Sequence, residues 1–232
     1  MMPGHVKRKP IKPILRTAYQ GLLKLHLRSY ENYQPVLGAN GAAAGTRDCE
    51  ERWRVIEPVL RQQSCNSLVD LGCSEGYYVL SAAQSGLGFA LGVDFDLRRI
   101  FTCTSQVVLN DIPNAAFLIS EVTPELIDRI PEVDAVIFLS VLHHIMYQKG
   151  EQHCRELLTR LRRKTRKVML FEMGQSDEHL ETWAAKMPEM GKDPHAWIAS
   201  FLQSAGFRTV EKIGEAQSYA RETNRALFKV MP

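Results

Sequence analysis

The chain has no acidic residue before Glu31, no cysteine pair at CxxC spacing and no apolar run long enough to cross a bilayer. Each absence closes a class. Its five cysteines, Cys49, Cys65, Cys73, Cys103 and Cys154, are odd in number and lie at no Cys/His ligand spacing. That argues against a disulfide framework, gives no metal site, and fits a reducing cytoplasm. Arg16 and Lys24 interrupt what a secretion signal needs as an unbroken apolar core. The expectation is a soluble or peripheral cytoplasmic protein, with any peripheral contact at the inner membrane surface.

Positive charge, by contrast, is concentrated. Residues 1–30 hold seven Lys/Arg (Lys7, Arg8, Lys9, Lys12, Arg16, Lys24, Arg28); with these taken from the 29 in the chain, 22 face 26 Asp/Glu. Attraction to anionic membrane or to a phosphorylated acceptor therefore falls on residues 1–30. Nucleic acid is a weaker expectation, because the body is mildly acidic.

With 232 residues, 45% of them hydrophobic and 24% charged, the chain can bury one substantial core. The reading is one domain over 47–232, preceded at 1–46 by a basic amphipathic helix and a Gly/Ala-rich connector. From Ile14 to Tyr30, Leu15, Ala18, Tyr19, Leu22 and Leu25 fall at helical spacing, with Arg16, Gln20, Lys24 and Arg28 roughly opposite. This predicts either a lid helix with its apolar face on the domain, which is preferred, or attachment to a membrane surface. Pro35–Gly45 suits a mobile connector. Asp48 and Glu51 are spaced like a capping box for a helix that Pro58 either kinks or opens in its second half.

Apolar strands then alternate with helical stretches. Strands are expected at Ser67–Leu71, Phe89–Val93, Ala116–Ile119, Ala135–Leu139 and Lys167–Phe171, and helices at Tyr77–Ser85, Leu97–Leu109, Glu151–Arg163 and Pro194–Ala205. Phe207–Ile213 and Arg225–Val230 are close enough in sequence to pair antiparallel. The pattern predicts a Rossmann-like α/β fold: a seven-stranded, mostly parallel sheet with helices on both faces and an antiparallel C-terminal hairpin.

In such a sheet the ligand sits beyond the carboxyl ends of the strands, and the loop after the first strand must let the backbone approach it. Gly72 and Gly76 meet that need, and Asp94, 24 residues after Asp70, is placed to accept ribose hydroxyls. A dinucleotide loop reads G-x-G-x-x-G for a pyrophosphate, whereas this one reads G-x-S-x-G behind Asp70. An acid there repels a pyrophosphate but suits a nucleoside carrying sulfonium and ammonium groups.

VDLGCSEGYY, GVDFD and DAVIFLSVLHHI resemble motif I, the acidic end of strand two and the post-strand-four segment of class I S-adenosylmethionine-dependent methyltransferases. The resemblance runs from about Arg47 to the C-terminus. It implies S-adenosylmethionine as cofactor, with Asp70 and Gly72 at its methionine end, Asp94 at the ribose and Ser120 and Glu121 at the adenine edge. Ser74, where glycine is commoner, and Ser140 after the fourth strand complete the loop contacts. Two runs, LSVLHHIMY and VMLFEMGQSDEHLETWAAKMPE, are more narrowly similar to the methyltransferase domain of bacterial O-antigen chain terminators, which methylate a phosphate ending a polysaccharide. That similarity implies a saccharide, sugar phosphate or related glycan acceptor.

Each acceptor-side residue carries two readings. His143 and His144 serve as a general base for a sugar hydroxyl, or pack the turn after the fourth strand. Glu172 orients an acceptor, or forms a structural salt bridge. Tyr77 or Tyr78 faces a sulfonium through cation–π attraction, or packs the helix start. Arg47 or Arg52 grips the cofactor carboxylate in a bidentate pair, with at least one of the two at the surface. The insertion Asp177–Pro194, with Trp183, Met187 and Met190, caps the acceptor pocket or fills the core. An RNA methyltransferase using the basic N-terminus and a non-catalytic recruitment module are the alternatives to a glycan O-methyltransferase.

Overall fold

Strands that are apolar on both faces can be stable only between two helical layers. The computed structural model, which describes residues 13–29, 31–37, 45–220 and 223–232, has this arrangement. Five parallel strands, β1 (Ser67–Leu71), β2 (Phe89–Asp94), β3 (Ala115–Ile119), β4 (Val133–Leu139) and β5 (Thr165–Glu172), join the antiparallel β6 (Thr209–Gln217) and β7 (Asn224–Met231). The order is β3-β2-β1-β4-β5-β7-β6, as the expected Rossmann-like sheet requires. It reverses between β1 and β4, so the ligand crevice opens at their carboxyl ends.

Alternation along each strand assigns the layers. Leu68, Ala90, Ala135, Ile137, Val168 and Leu170 pack with α2 (Cys49–Gln62), α3 (Tyr77–Gln84) and α4 (Leu97–Asn110). Val69, Leu71, Val136, Phe138, Met169 and Phe171 pack with α5 (Pro124–Arg129), α6 (Leu142–Lys149), α7 (Glu151–Lys164) and α8 (Pro194–Ser204). Asp48 Oδ1 caps α2 by accepting the Glu51 N–H at 3.0 Å, and α2 continues through Pro58 without ending. Two helices were absent from the sequence reading. One is α5, which Thr123 caps; the other is α6, which puts His143 and His144 in its first turn.

The N-terminal helix, α1 (Pro13–Leu27), departs from expectation in its orientation. Leu23 and Leu27 face the domain, clustering with Val36 and Leu109, and the Arg16 guanidinium donates to the Leu109 carbonyl. Ile14, Leu15, Leu22 and Leu25 are left exposed, so the lid with its apolar face inward is corrected: the mixed face is turned in. Lys7, Arg8, Lys9, Lys12 and residues 38–44 of the connector lie outside the described residues. The connector's flanks come back together, because Thr46 and Arg47 donate to the carbonyls of Asn32 and Tyr33 at 3.1 and 3.0 Å.

Candidate active site

Two backbone demands shape the loop after β1. Gly72 has φ +78°, and a Cβ there would lie 2.4 Å from Val141 Cγ2; only glycine meets both conditions. Ser74 has φ +53°, a region that costs a non-glycine residue about 1–2 kcal/mol. Its hydroxyl donates to Glu75 Oε2 at 2.6 Å and its N–H to Asp94 Oδ2 at 2.9 Å, which hold it there. Asp94 Oδ1 accepts the Asp96 N–H at 2.9 Å. Burial raises the Asp94 pKa above the usual carboxylate range, and these two backbone bonds oppose the rise.

A cleft of about 1060 Å³ opens at this point, with Gly72, Ser74, Tyr78, Asp94, Ser120 and Glu121 in its wall. The Ser120 N–H reaches the Asp94 carbonyl at 3.0 Å, tying the two regions together. Tyr77 does not line the cleft. Neither does Gly76. A Cβ there would meet Phe117 at 2.8 Å, so its small size serves packing of the turn. Asp70 also stays out of the cleft wall and lies behind the loop. It is buried, Oδ2 has no hydrogen-bond partner, and burial together with the nearby Asp94 raises its pKa well above the ordinary value.

Arg52 occupies a core position of α2, in the same buried stripe as Cys49, Ile56 and Val59. Glu172 shares a strand face with Val168 and Leu170, which points it at α2. The two meet: Arg52 Nε donates to Glu172 Oε2 and Arg47 to Oε1, both at 2.8 Å. Ser140, at φ +58°, donates to Oε1 at 2.6 Å. Burial alone would push the Glu172 pKa up, but Arg52, Arg47 and Ser140 hold it below the usual range.

Three points follow from this cluster. Glu172 does not line the cleft, and its carboxylate is taken up by Arg47, Arg52 and Ser140 in the structural salt bridge that is its other reading. Both arginines are buried, so neither is a surface residue. Arg52 lines the cleft, yet its remaining nitrogens donate to the carbonyls of Asp48 and Gln217 at 2.9 and 3.3 Å; it is no free carboxylate clamp.

Across the cleft, His143 and His144 differ sharply. His143 is buried, and its Nδ1 accepts the Gly174 N–H at 3.0 Å, which places the ring proton on Nε2. Burial, then His144, Arg225 and Arg47, lowers its pKa well below the ordinary value. His143 is therefore a neutral donor, and its reading as a base is corrected. His144 is exposed in the cleft wall, and its ring makes no hydrogen bond among the described residues. Burial and Arg225 lower its pKa as well, so it is neutral with an open lone pair.

Trp183 forms the neighbouring wall, its ring 4.3 Å from that of His143. Arg225 lies over the Trp183 ring at 5.5 Å and grips Glu178 through two bonds of 2.8 and 2.7 Å. Within the insertion, Trp183 lines the cleft and joins the core, and Met187 and Met190 lie on the core side. Lys149 and His153 complete this end.

Sequence reasoning missed Glu75. Its carboxylate accepts from Tyr33 N, Gln34 N and Arg99 at 3.2, 2.9 and 2.7 Å, strapping residues 31–37 along the cleft. A signal existed, since Glu75 is the only charge between Asp70 and Asp94, and an acid inside a buried segment must be paired. Among the described residues, no group of three or more His, Cys, Asp or Glu is placed to hold a metal.

No family model matches the chain. It is 31% identical over 210 residues to the O-antigen chain terminator bifunctional methyltransferase/kinase WbdD of Escherichia coli, and 30% identical over the same length to a second WbdD from that organism. The match takes in 86% of this chain but 28% of either relative, so the chain spans little more than a quarter of their length. A crystal structure of WbdD superposes with TM-score 0.76 and 26% identity over 90% of this chain and 46% of that one. The N-terminal domain of EvdMO1, solved with S-adenosylhomocysteine (SAH) and D-fucose, matches with TM-score 0.67 over 93% of this chain and 96% of its own; at 18% identity it shares the fold.

Proposed function

We propose that this chain is a class I S-adenosylmethionine-dependent methyltransferase that transfers a methyl group to an oxygen of a saccharide or sugar-phosphate acceptor. The observation that carries the reading is the sharing of one cleft by two unlike walls. Gly72, Ser74 and Asp94 form one; His143, His144 and Trp183 form the other.

The residues present fit the cofactor. Asp94 has one N–H on each oxygen, leaving lone pairs for two ribose hydroxyls. The unpartnered Oδ2 of Asp70 leaves an unsatisfied acid behind the loop, whose ionised form a nearby cationic ligand favours and a pyrophosphate opposes. Gly72 keeps the loop free of a side chain, and Ser120 and Glu121 edge the far side of the wall. When bound, S-adenosylmethionine supplies a methyl carbon made electrophilic by its positively charged sulfur.

On the acceptor side, His144 takes the proton from an acceptor hydroxyl, because a sugar hydroxyl is a poor nucleophile while it keeps that proton. His143 Nε2–H offers a hydrogen bond to the same acceptor. Trp183 gives the apolar face on which a sugar ring stacks, and the surrounding walls hold the reactants in line, where much of the acceleration arises. The name of the WbdD relatives supports an acceptor belonging to a surface polysaccharide.

A phosphate oxygen is the second reading, favoured by Lys149 and His153 in the cleft wall. A phosphate is already anionic and needs cations rather than a base. The deciding experiment incubates purified protein and methyl-labelled cofactor with host glycans, phosphorylated glycans and RNA. Label on a saccharide hydroxyl or its phosphate supports the proposal; label on RNA alone, or on nothing, contradicts it.

A further inference from the structure

The outward face of α1 is unlike any other helix surface described. Ile14, Leu15, Leu22 and Leu25 are 77, 51, 56 and 66% exposed, and with the exposed Ala18 they fall within about 100° of one another at 100° per residue. The helix is roughly 22 Å long at 1.5 Å per residue, so the stripe is a strip and not an isolated side chain. A Cβ on Gly21, at the edge of that face, would meet nothing within 4 Å. The helix is held from the other side by Leu23, Leu27 and the Arg16 bond to Leu109, so the stripe is not needed to dock it. Beside the C-terminal end of α1, where His26 meets Phe101, Leu97 is 65% exposed. A soluble surface does not present such a strip without an occupant.

Charge identifies the occupant. No Asp or Glu occurs before Glu31, while Lys24 and Arg28 are exposed along the helix. A second copy would bring only more positive charge, because its own α1 has no carboxylate to meet Lys24 and Arg28. A helix-on-helix contact of this kind ordinarily draws on charges of both signs. An anionic lipid surface supplies what is missing, a hydrocarbon boundary for the leucines and phosphate groups for the lysine and arginine.

We infer that α1 is an interfacial helix that lays its Ile14/Leu15/Leu22/Leu25 stripe into the surface of an anionic bilayer. The helix does not span the membrane; among the described residues none is long and apolar enough to do so. Glu31, Tyr33 and Gln34, which line the cleft, follow α1 in sequence, so the attached helix leads into a cleft-lining segment. This inference is independent of the methyl-transfer reading.

The test uses the full chain in vesicle co-sedimentation, with phosphatidylcholine alone or mixed with phosphatidylglycerol, and the double variant Leu15→Glu/Leu22→Glu beside the wild type. Wild type should pellet with the anionic vesicles and far less with the neutral ones, and raised salt should weaken binding in part. The double variant should bind on the order of a hundredfold less, since each of the two buried leucines contributes roughly a factor of ten in partitioning. Its melting temperature should be unchanged, because both positions are exposed. Absence of vesicle binding overturns the inference, and so does binding that the double variant leaves intact. Two further results also overturn it: a lipid-independent dimer by sedimentation velocity that the variant abolishes, or RNA binding that needs these leucines.

Discussion

Arg52 Nε donates to Glu172 Oε2 at 2.8 Å, from a helix on one side of the cleft to a carboxylate with no exposed surface at the end of β5. With Arg47 on the other oxygen, this pair ties α2 to the sheet directly under Ser140. Removing the carboxylate strands two buried guanidinium groups, which typically costs about 3–5 kcal/mol. Glu172→Ala should therefore lower the melting temperature by many degrees. Glu172→Gln, which keeps an acceptor for Ser140, should lose less, and the soluble fraction of that variant should keep the wild-type pH profile. A changed pH profile would return Glu172 to the chemistry.

His144 presents a ring with an open lone pair to the cleft beside His143 and Trp183. His144→Ala should reduce kcat by about two to four orders of magnitude on a hydroxyl acceptor, with little change in cofactor affinity. Burial and Arg225 lower its pKa, so the neutral form persists below the ordinary histidine value of 6.5, and the acid limb of the rate profile should fall below that pH. Steady-state rates across pH measure both effects. An unimpaired His144→Ala enzyme would favour the phosphate acceptor.

Gly174 exists for Trp183. A Cβ there would come 2.1 Å from the indole ring, and the adjoining N–H holds His143. Gly174→Ala should displace the ring, destabilise the fold and lower kcat together. Trp183→Ala should itself cost about 3–5 kcal/mol. In the double variant the clash has no partner, so its loss of stability should be smaller than the sum of the single losses. Chemical denaturation of the four proteins gives the coupling.

Asp70 titrates in a direction opposite to most carboxylates. Its folded-state pKa lies above the unfolded value, so its contribution to stability is complete at low pH and is lost as pH rises through the folded value. Asp70→Asn should stabilise the ligand-free protein more and more as pH rises above the ordinary carboxylate value of 3.8, while weakening a cationic cofactor. Denaturant unfolding across a pH series reads the first effect and calorimetry the second.

Much of this was legible in the residues, for reasons that differ by element. The sheet followed from apolar runs and their spacing, and Asp94 from its position at a strand end, because both depend on local periodicity. Glu172 and Arg52 were legible in principle: i, i+2 spacing with Leu170 and i, i+4 spacing with Ile56 put them on facing surfaces. Their ion pair was missed as the outcome for Arg52 because a helix stripe does not say which strand it meets. The split between His143 and His144 depends on a single backbone N–H from Gly174, thirty-one positions along the chain, and no local signal encodes it. The orientation of α1 went the other way for a similar reason, since Leu109 and Val36, which choose its inner face, are remote in sequence.

Calorimetric titration of the purified chain with S-adenosylmethionine, repeated with NAD and with Asp94→Ala, bears most directly on the cofactor site around Gly72 and Asp94. The wild type should bind S-adenosylmethionine at one site and not NAD. Asp94→Ala should weaken that binding by roughly tenfold to a hundredfold, the effect of losing hydrogen bonds to a charged group. Binding of NAD without S-adenosylmethionine, or an affinity that Asp94→Ala leaves unchanged, would contradict the account.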